Sequence, residues 1–127
     1  MSSIFLVDDS GTIRLSMRAI VEKAGHNVET ANDGQEALER LQSGYRPDVI
    51  ITDVHMPRMD GLDFIRNARA IPAHSQTPIV VLTTESQQEK KDEARRNGAT
   101  GWMVKPVSAD NLLAVLGRVL PAGTPAG

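Results

Sequence analysis

Three aspartates, a threonine and a lysine each stand where a short apolar run stops. Ile4-Phe5-Leu6-Val7 meets Asp8-Asp9, and Val49-Ile50-Ile51-Thr52 meets Asp53. Ile79-Val80-Val81-Leu82 ends on Thr83, and Trp102-Met103-Val104 on Lys105. A carboxylate can act as a nucleophile and form an aspartyl phosphate. An ammonium and a hydroxyl beside it can donate to phosphoryl oxygens and stabilise their charge. Gathering three acids has a cost. At about 4 Å, two unit charges repel by roughly 4 kcal/mol at an effective dielectric of 20. Either one acid takes up a proton or a cation joins them. Hard oxygen ligands favour Mg²⁺, which takes one or two carboxylates, waters and phosphate oxygens. Nothing resembles the spaced ligands and glycine of a dedicated calcium loop. A single acid after a strand commonly caps the next helix, and Asp9 or Ser10 could do only that. Five polar groups at one sheet edge point to a site.

The elements that must position them follow from the pattern. Continuous, β-branched-rich runs read as strands buried on both faces, the mark of a parallel sheet. Ligands of open parallel sheets bind beyond the carboxyl ends of the strands. Between the runs lie helical periodicities. The first carries Ile13, Met17, Ile20, Val21 and Ala24, from Ser10 to a stop at Gly25. Residues His26 to Ala31 read as a weaker strand. Asp33 with Glu36 forms a variant capping box ahead of Ala37, Leu38 and Leu41. After the loop of residues 54–61, Leu62, Ile65 and Ala68 mark a third helix. A very polar fourth helix spans Ser86 to Asn97 with Ala94 as its only apolar residue. Ser108 caps a fifth, with Leu112, Leu113, Leu116, Val119 and Leu120, stopped by Pro121. Strand and helix alternate five times, which predicts a three-layer α/β/α sandwich around a parallel sheet.

Bulk properties narrow the function. With 127 residues, the chain is expected to be one domain over residues 1–120, followed by a disordered tail at 121–127. A net charge of −2 gives no nucleic-acid footprint, and the absence of cysteine excludes disulfides and thiolate metal sites. No apolar run approaches the ~20 residues needed to cross a bilayer. No signal peptide is visible at the N-terminus, so the expected location is cytoplasmic, with no membrane partner.

Asp8-Asp9-Ser10 with Arg14, the segment Asp53-Val54-His55-Met56-Pro57-Arg58-Met59-Asp60-Gly61, Thr83-Thr84, Gly98-Ala99 and Lys105-Pro106 resemble the receiver domain of two-component response regulators. The match runs from residue 4 to 120 in order and spacing. The resemblance implies the flavodoxin-like (CheY-like) strand order 2-1-3-4-5. It implies that Asp53 accepts a phosphoryl group from a sensor histidine kinase. Mg²⁺ would be held by Asp9, Asp53 and the backbone carbonyl of His55, with Asp8 acting mainly through water. Thr83 and Lys105 would hold the phosphoryl oxygens, and Lys105-Pro106 would be a cis peptide.

By the same analogy Thr83 and Trp102 form a switch, with Trp102 where tyrosine or phenylalanine is more usual. An indole keeps an N–H that needs a partner, so a simple rotamer switch does not carry over directly. His55 and Glu85, each two residues beyond a site residue, would tune the lifetime of the phosphoryl group. His26 and His74 carry no signal and are read as surface residues. The charged fourth helix, the fifth strand and the fifth helix would be the output surface.

With no second domain expected, the chain is similar to chemotaxis regulators of the CheY type. The expected output is phosphorylation-dependent binding to a flagellar motor switch protein or another target. The rival readings are a phosphorelay shuttle or phosphate sink and, from another class, an aspartate-nucleophile phosphatase. The chain is expected to catalyse only its own phosphorylation and dephosphorylation. One departure is Val107, where many relatives place phenylalanine.

Overall fold

Five parallel strands in the order β2-β1-β3-β4-β5 form the centre of the chain. The computed structural model describes residues 2–84, 88–105 and 107–120. The strands are β1 (Ser3–Val7), β2 (Asn27–Ala31), β3 (Val49–Asp53), β4 (Ile79–Thr83) and β5 (Gly101–Val104). The helices are α1 (Gly11–Lys23), α2 (Gly34–Gln42), α3 (Gly61–Arg69), α4 (Gln88–Arg96) and α5 (Ala109–Val119). A short 3-10 turn, Pro72–His74, precedes β4. The expected sandwich and strand order are both present. Glu85, the Lys105–Pro106 peptide and the tail from residue 121 lie outside the described residues.

Alternation along each strand splits the core in two. Phe5, Val7, Ile50, Ile79 and Val81 face α2, α3 and α4. Ile4, Leu6, Val49, Ile51, Val80 and Leu82 face α1 and α5. Full burial of one such side chain is worth about 1.5–3 kcal/mol, an upper figure because the unfolded chain already hides some surface. α4 enters the core through Ala94, which is wholly buried. In α5, Leu112 and Leu116 are buried while Leu113 turns outward. Among the described residues, no helix is long and apolar enough to cross a membrane.

Ser10, Asp33 and Ser108 cap their helices as expected, each accepting an N–H three residues on. Glu36 reaches back one residue further than a standard capping box, to the N–H and amide of Asn32.

Both histidines read as surface residues are buried, because each finds hydrogen-bond partners inside. His26 Nδ1 accepts the N–H of Ser2. His74, 1% exposed, has Nε2 3.2 Å from the Tyr45 carbonyl and Nδ1 3.1 Å from Thr77 Oγ1. The carbonyl can only accept, which assigns the neutral tautomer with Nε2–H donating to it. Burial pushes the His74 pKa down, and the nearby Arg46 and Arg69 add to this.

The folded protein therefore takes up this proton less readily than the unfolded chain. The stability tied to neutral His74 is complete above pH 6.5 and is lost as pH falls below that value. His74→Gln should cost about 1–2 kcal/mol at pH 7.5 and flatten the decline in melting temperature between pH 6.5 and 5. Parallel pH profiles of the two proteins would exclude His74 as its source.

Candidate active site

The sheet register brings the polar residues to one edge. Val7 pairs with Thr52, Asp53 with Leu82 and Thr83 with Val104, so the four strand ends are level. Asp8 follows β1 and donates its N–H to Ala31 O. Lys105 follows β5 and donates its N–H to Thr83 O at 2.7 Å.

Carboxylate oxygens of Asp8, Asp9 and Asp53 lie within 4.8 Å of one another. Asp8 and Asp53 are buried and Asp9 is exposed. Lys105 Nζ lies 3.1 Å from Asp8 Oδ2 and 3.2 Å from Asp53 Oδ2. Asp53 Oδ1 accepts the Val54 N–H at 2.8 Å, and Asp8 Oδ1 the Ser10 N–H at 2.8 Å. Asp8 Oδ2 is buried without an aligned hydrogen-bond donor among the described residues, so at 3.1 Å its contact with Lys105 is chiefly one of charge. Thr83 is fully buried at the end of β4. His55 is exposed in the loop after β3. Arg14 donates from Nη1 to the Asp8 carbonyl, a role its sequence position did not disclose.

One ammonium faces two buried carboxylates. Desolvation raises the Asp53 pKa, the Asp8 charge adds to it, and Lys105 only partly opposes them. Burial would draw Lys105 down, but the two carboxylates outweigh it and its pKa rises. Among the described residues the site is thus left with two buried acids to one ammonium and a buried acceptor without an aligned donor. The donors are all oxygen. That combination fits a hard divalent cation such as Mg²⁺.

Trp102 is half-buried against the α3–α4 side of the core, and its Nε1 is buried without a hydrogen-bond partner among the described residues. The partner that the residue type calls for is not found among the described residues.

Sequence reasoning missed what shapes the loop between Asp53 and α3. Gly61 N–H bonds Val54 O at 2.7 Å. A Cβ on Gly61 would lie 2.0 Å from the Asp53 carbonyl oxygen. Arg58 reaches Asp33 with Nε to Oδ2 at 2.9 Å and Nη2 to Oδ1 at 3.1 Å. That guanidinium holds the Asp33 carboxyl below the ordinary carboxylate range, against the effect of burial.

The profile of the response regulator receiver domain matches residues 4–117. The chain belongs to this family. It is 33% identical over 120 residues to the protein PilH of Pseudomonas aeruginosa, covering 94% of the chain and 98% of PilH. It spans only 13% and 52% of the length of two longer curated relatives that it matches at 37% identity. Among solved structures it resembles the Vibrio cholerae chemotaxis protein CheY4, with TM-score 0.90 and 48% identity. That match covers 94% of this chain and 99% of CheY4. It also resembles the receiver domain of the sensor histidine kinase PA1611 of P. aeruginosa, with TM-score 0.85 and 27% identity, covering 93% of this chain and 96% of the other. The PA1611 structure carries a magnesium ion coordinated in its active-site cleft. The family is one of signalling domains.

Proposed function

We propose that the chain receives a phosphoryl group on Asp53 from a phosphohistidine of a sensor kinase, in the cytoplasm, and that this switches its binding to a partner protein. One observation carries the reading: the Lys105 ammonium lies within 3.2 Å of two buried carboxylates at the level edge of the sheet. Asp53 supplies the nucleophilic oxygen. The new bond forms between that oxygen and phosphorus while the donor's N–P bond breaks and its electron pair stays on the imidazole. Lys105 swings its charge from carboxylates to phosphoryl oxygens, and the Thr83 hydroxyl donates beside it. Asp9, Asp53 and the carbonyl of His55 would hold Mg²⁺, with Asp8 acting mainly through water. When bound, the cation offsets charge that Lys105 leaves uncompensated. His55 and Glu85 would border the path of hydrolytic water.

Chemotaxis or another motility pathway is the proposed setting, supported by the 48% identity to the chemotaxis response regulator CheY4 of Vibrio cholerae. The proposed partner is a flagellar motor switch protein, and Trp102 is proposed to couple Thr83 to the surface that partner would meet.

Incubation with Mg²⁺ and acetyl phosphate tests the reading. Mass spectrometry should find one acid-labile phosphoryl group, on the peptide containing Asp53. A label on any other residue would relocate the nucleophile, and turnover of a stable phosphate ester would restore the phosphatase reading. Binding to motor switch protein only after phosphorylation would separate a direct switch from a phosphate sink.

A further inference from the structure

Arg58 has φ +68°, and among the described residues it is the one non-glycine in that region. Met59 N–H bonds Pro57 O across it at 2.8 Å, so Arg58 is the centre of a three-residue turn of the rare, strained form. A side chain in this backbone persists only where its surroundings over-determine it, and such positions gather at functional sites. The surroundings here are the start of α2. The guanidinium grips both oxygens of Asp33, whose side chain is 9% exposed. One residue on, the Met59 carbonyl lies over Gly34, where a Cβ would come within 2.6 Å of it.

An exposed ion pair usually contributes little. This one is two-pronged, and its acid is buried. Capping does not explain it either, since Asp33 caps α2 through Oδ1 to Glu36 N–H and a serine could do the same. What Arg58 adds is a tie across 25 residues of sequence to the loop that leaves Asp53. That loop starts with Val54, whose N–H fixes Asp53 Oδ1, and closes with Gly61 N–H on Val54 O.

We propose that the Arg58–Asp33 pair is a latch holding the loop after Asp53 in its strained form, which makes Arg58 a positioning residue for divalent-cation binding at Asp53. The proposal rests on reading Asp53 as the centre of a magnesium-dependent phosphoryl site. Groups one shell removed from metal ligands typically change affinity by about 10–100-fold when lost.

The test uses Asp33→Ser, which keeps the helix cap, and Arg58→Asn, which tolerates the backbone. Mg²⁺ affinity is measured by calorimetry, and exchange of the Met59 and Gly61 amides is followed in metal-free protein. Each variant should bind Mg²⁺ about tenfold more weakly, and the double variant no more weakly than either single one. Both amides should exchange faster while those of β1 and β3 keep their protection. A merely structural role would lower global stability and leave Mg²⁺ affinity within about twofold of wild type, and that result overturns the latch. Fully additive losses in the double variant would also overturn it. Should wild type bind no Mg²⁺ and take no label on Asp53, the site reading fails, while the amide exchange still decides whether the latch holds the loop.

Discussion

Asp53→Asn is expected to lose the acid-labile label entirely and, in EDTA, to melt at a higher temperature than wild type. The first effect follows from removing the nucleophilic oxygen. The second follows from the electrostatics of the metal-free site. Burial and the neighbouring Asp8 raise the Asp53 pKa, and Lys105 offsets only part of this. The folded state therefore binds the Asp53 proton more tightly than the unfolded chain, whose carboxyl titrates near 3.8. Wild-type stability falls as pH rises from that value through the raised folded value, and the cost stays in full above it.

Asparagine is neutral throughout and carries no such slope. Replacing this buried, incompletely paired charge by an isosteric neutral group removes that cost. It amounts to about 1.4 kcal/mol for each pKa unit by which folding raises the carboxyl, or roughly 3–4 °C in melting temperature per kcal/mol. The gain should vanish near pH 3.5 and be complete at pH 8. Saturating Mg²⁺ should narrow or reverse it, because wild type gains RT ln(1 + [L]/Kd), ~2.7 kcal/mol at a hundredfold excess over Kd. A variant less stable than wild type in EDTA at pH 8 would mean that the Lys105–Asp53 attraction outweighs desolvation. The phosphoacceptor would then be a stabilising partner, not a strained one.

The parts of this site legible in the sequence are those that lie where strands end. A strand buried on both faces must be written in apolar residues, so its last polar residue announces itself. Asp8, Asp53, Thr83 and Lys105 were found that way, and the parallel register then levels them. Ala94 was legible for the same reason, as the lone apolar residue on a charged helix. Contacts that depend on the approach of two loops left no such mark. Asp33 looked like a helix cap and is one, but its second role with Arg58 joins residues that no periodicity connects. His74 misled because a histidine among polar neighbours reads as surface. It is buried because the Tyr45 carbonyl and Thr77 hydroxyl, on two different segments, satisfy both ring nitrogens. Residue type alone could raise the question of the Trp102 N–H, and only the packing could show that it finds no partner among the described residues.

Gly61→Ala is expected to unfold the site rather than reinforce the helix it begins. On local grounds the change should help, since alanine is favoured over glycine within a helix by about 1 kcal/mol. Gly61 has no left-handed backbone that would demand glycine. The obstacle is space. The added Cβ would sit 2.0 Å from the Asp53 carbonyl oxygen and 2.9 Å from both Asp53 C and Val54 Cα. These are backbone atoms of the last strand residue and its successor, with no flexible side chain to yield. Relief requires α3 to retreat or the end of β3 to bend, and either breaks the 2.7 Å bond from Gly61 N–H to Val54 O.

Overpacking typically costs about 1–3 kcal/mol and occasionally more, and a clash with backbone belongs at the upper end. Because Val54 N–H fixes Asp53 Oδ1, the carboxylate should move with the backbone, and labelling by acetyl phosphate should fall in the fraction that remains folded. Gly117→Ala is the control: it lies inside α5 with no atom of the described residues within 4 Å of its added Cβ. It should gain up to ~1 kcal/mol and keep full labelling. Equal stability and equal labelling in the Gly61 and Gly117 variants would show that the end of β3 can yield. The tight seat of α3 on Asp53 would then not be what holds the phosphoacceptor in place.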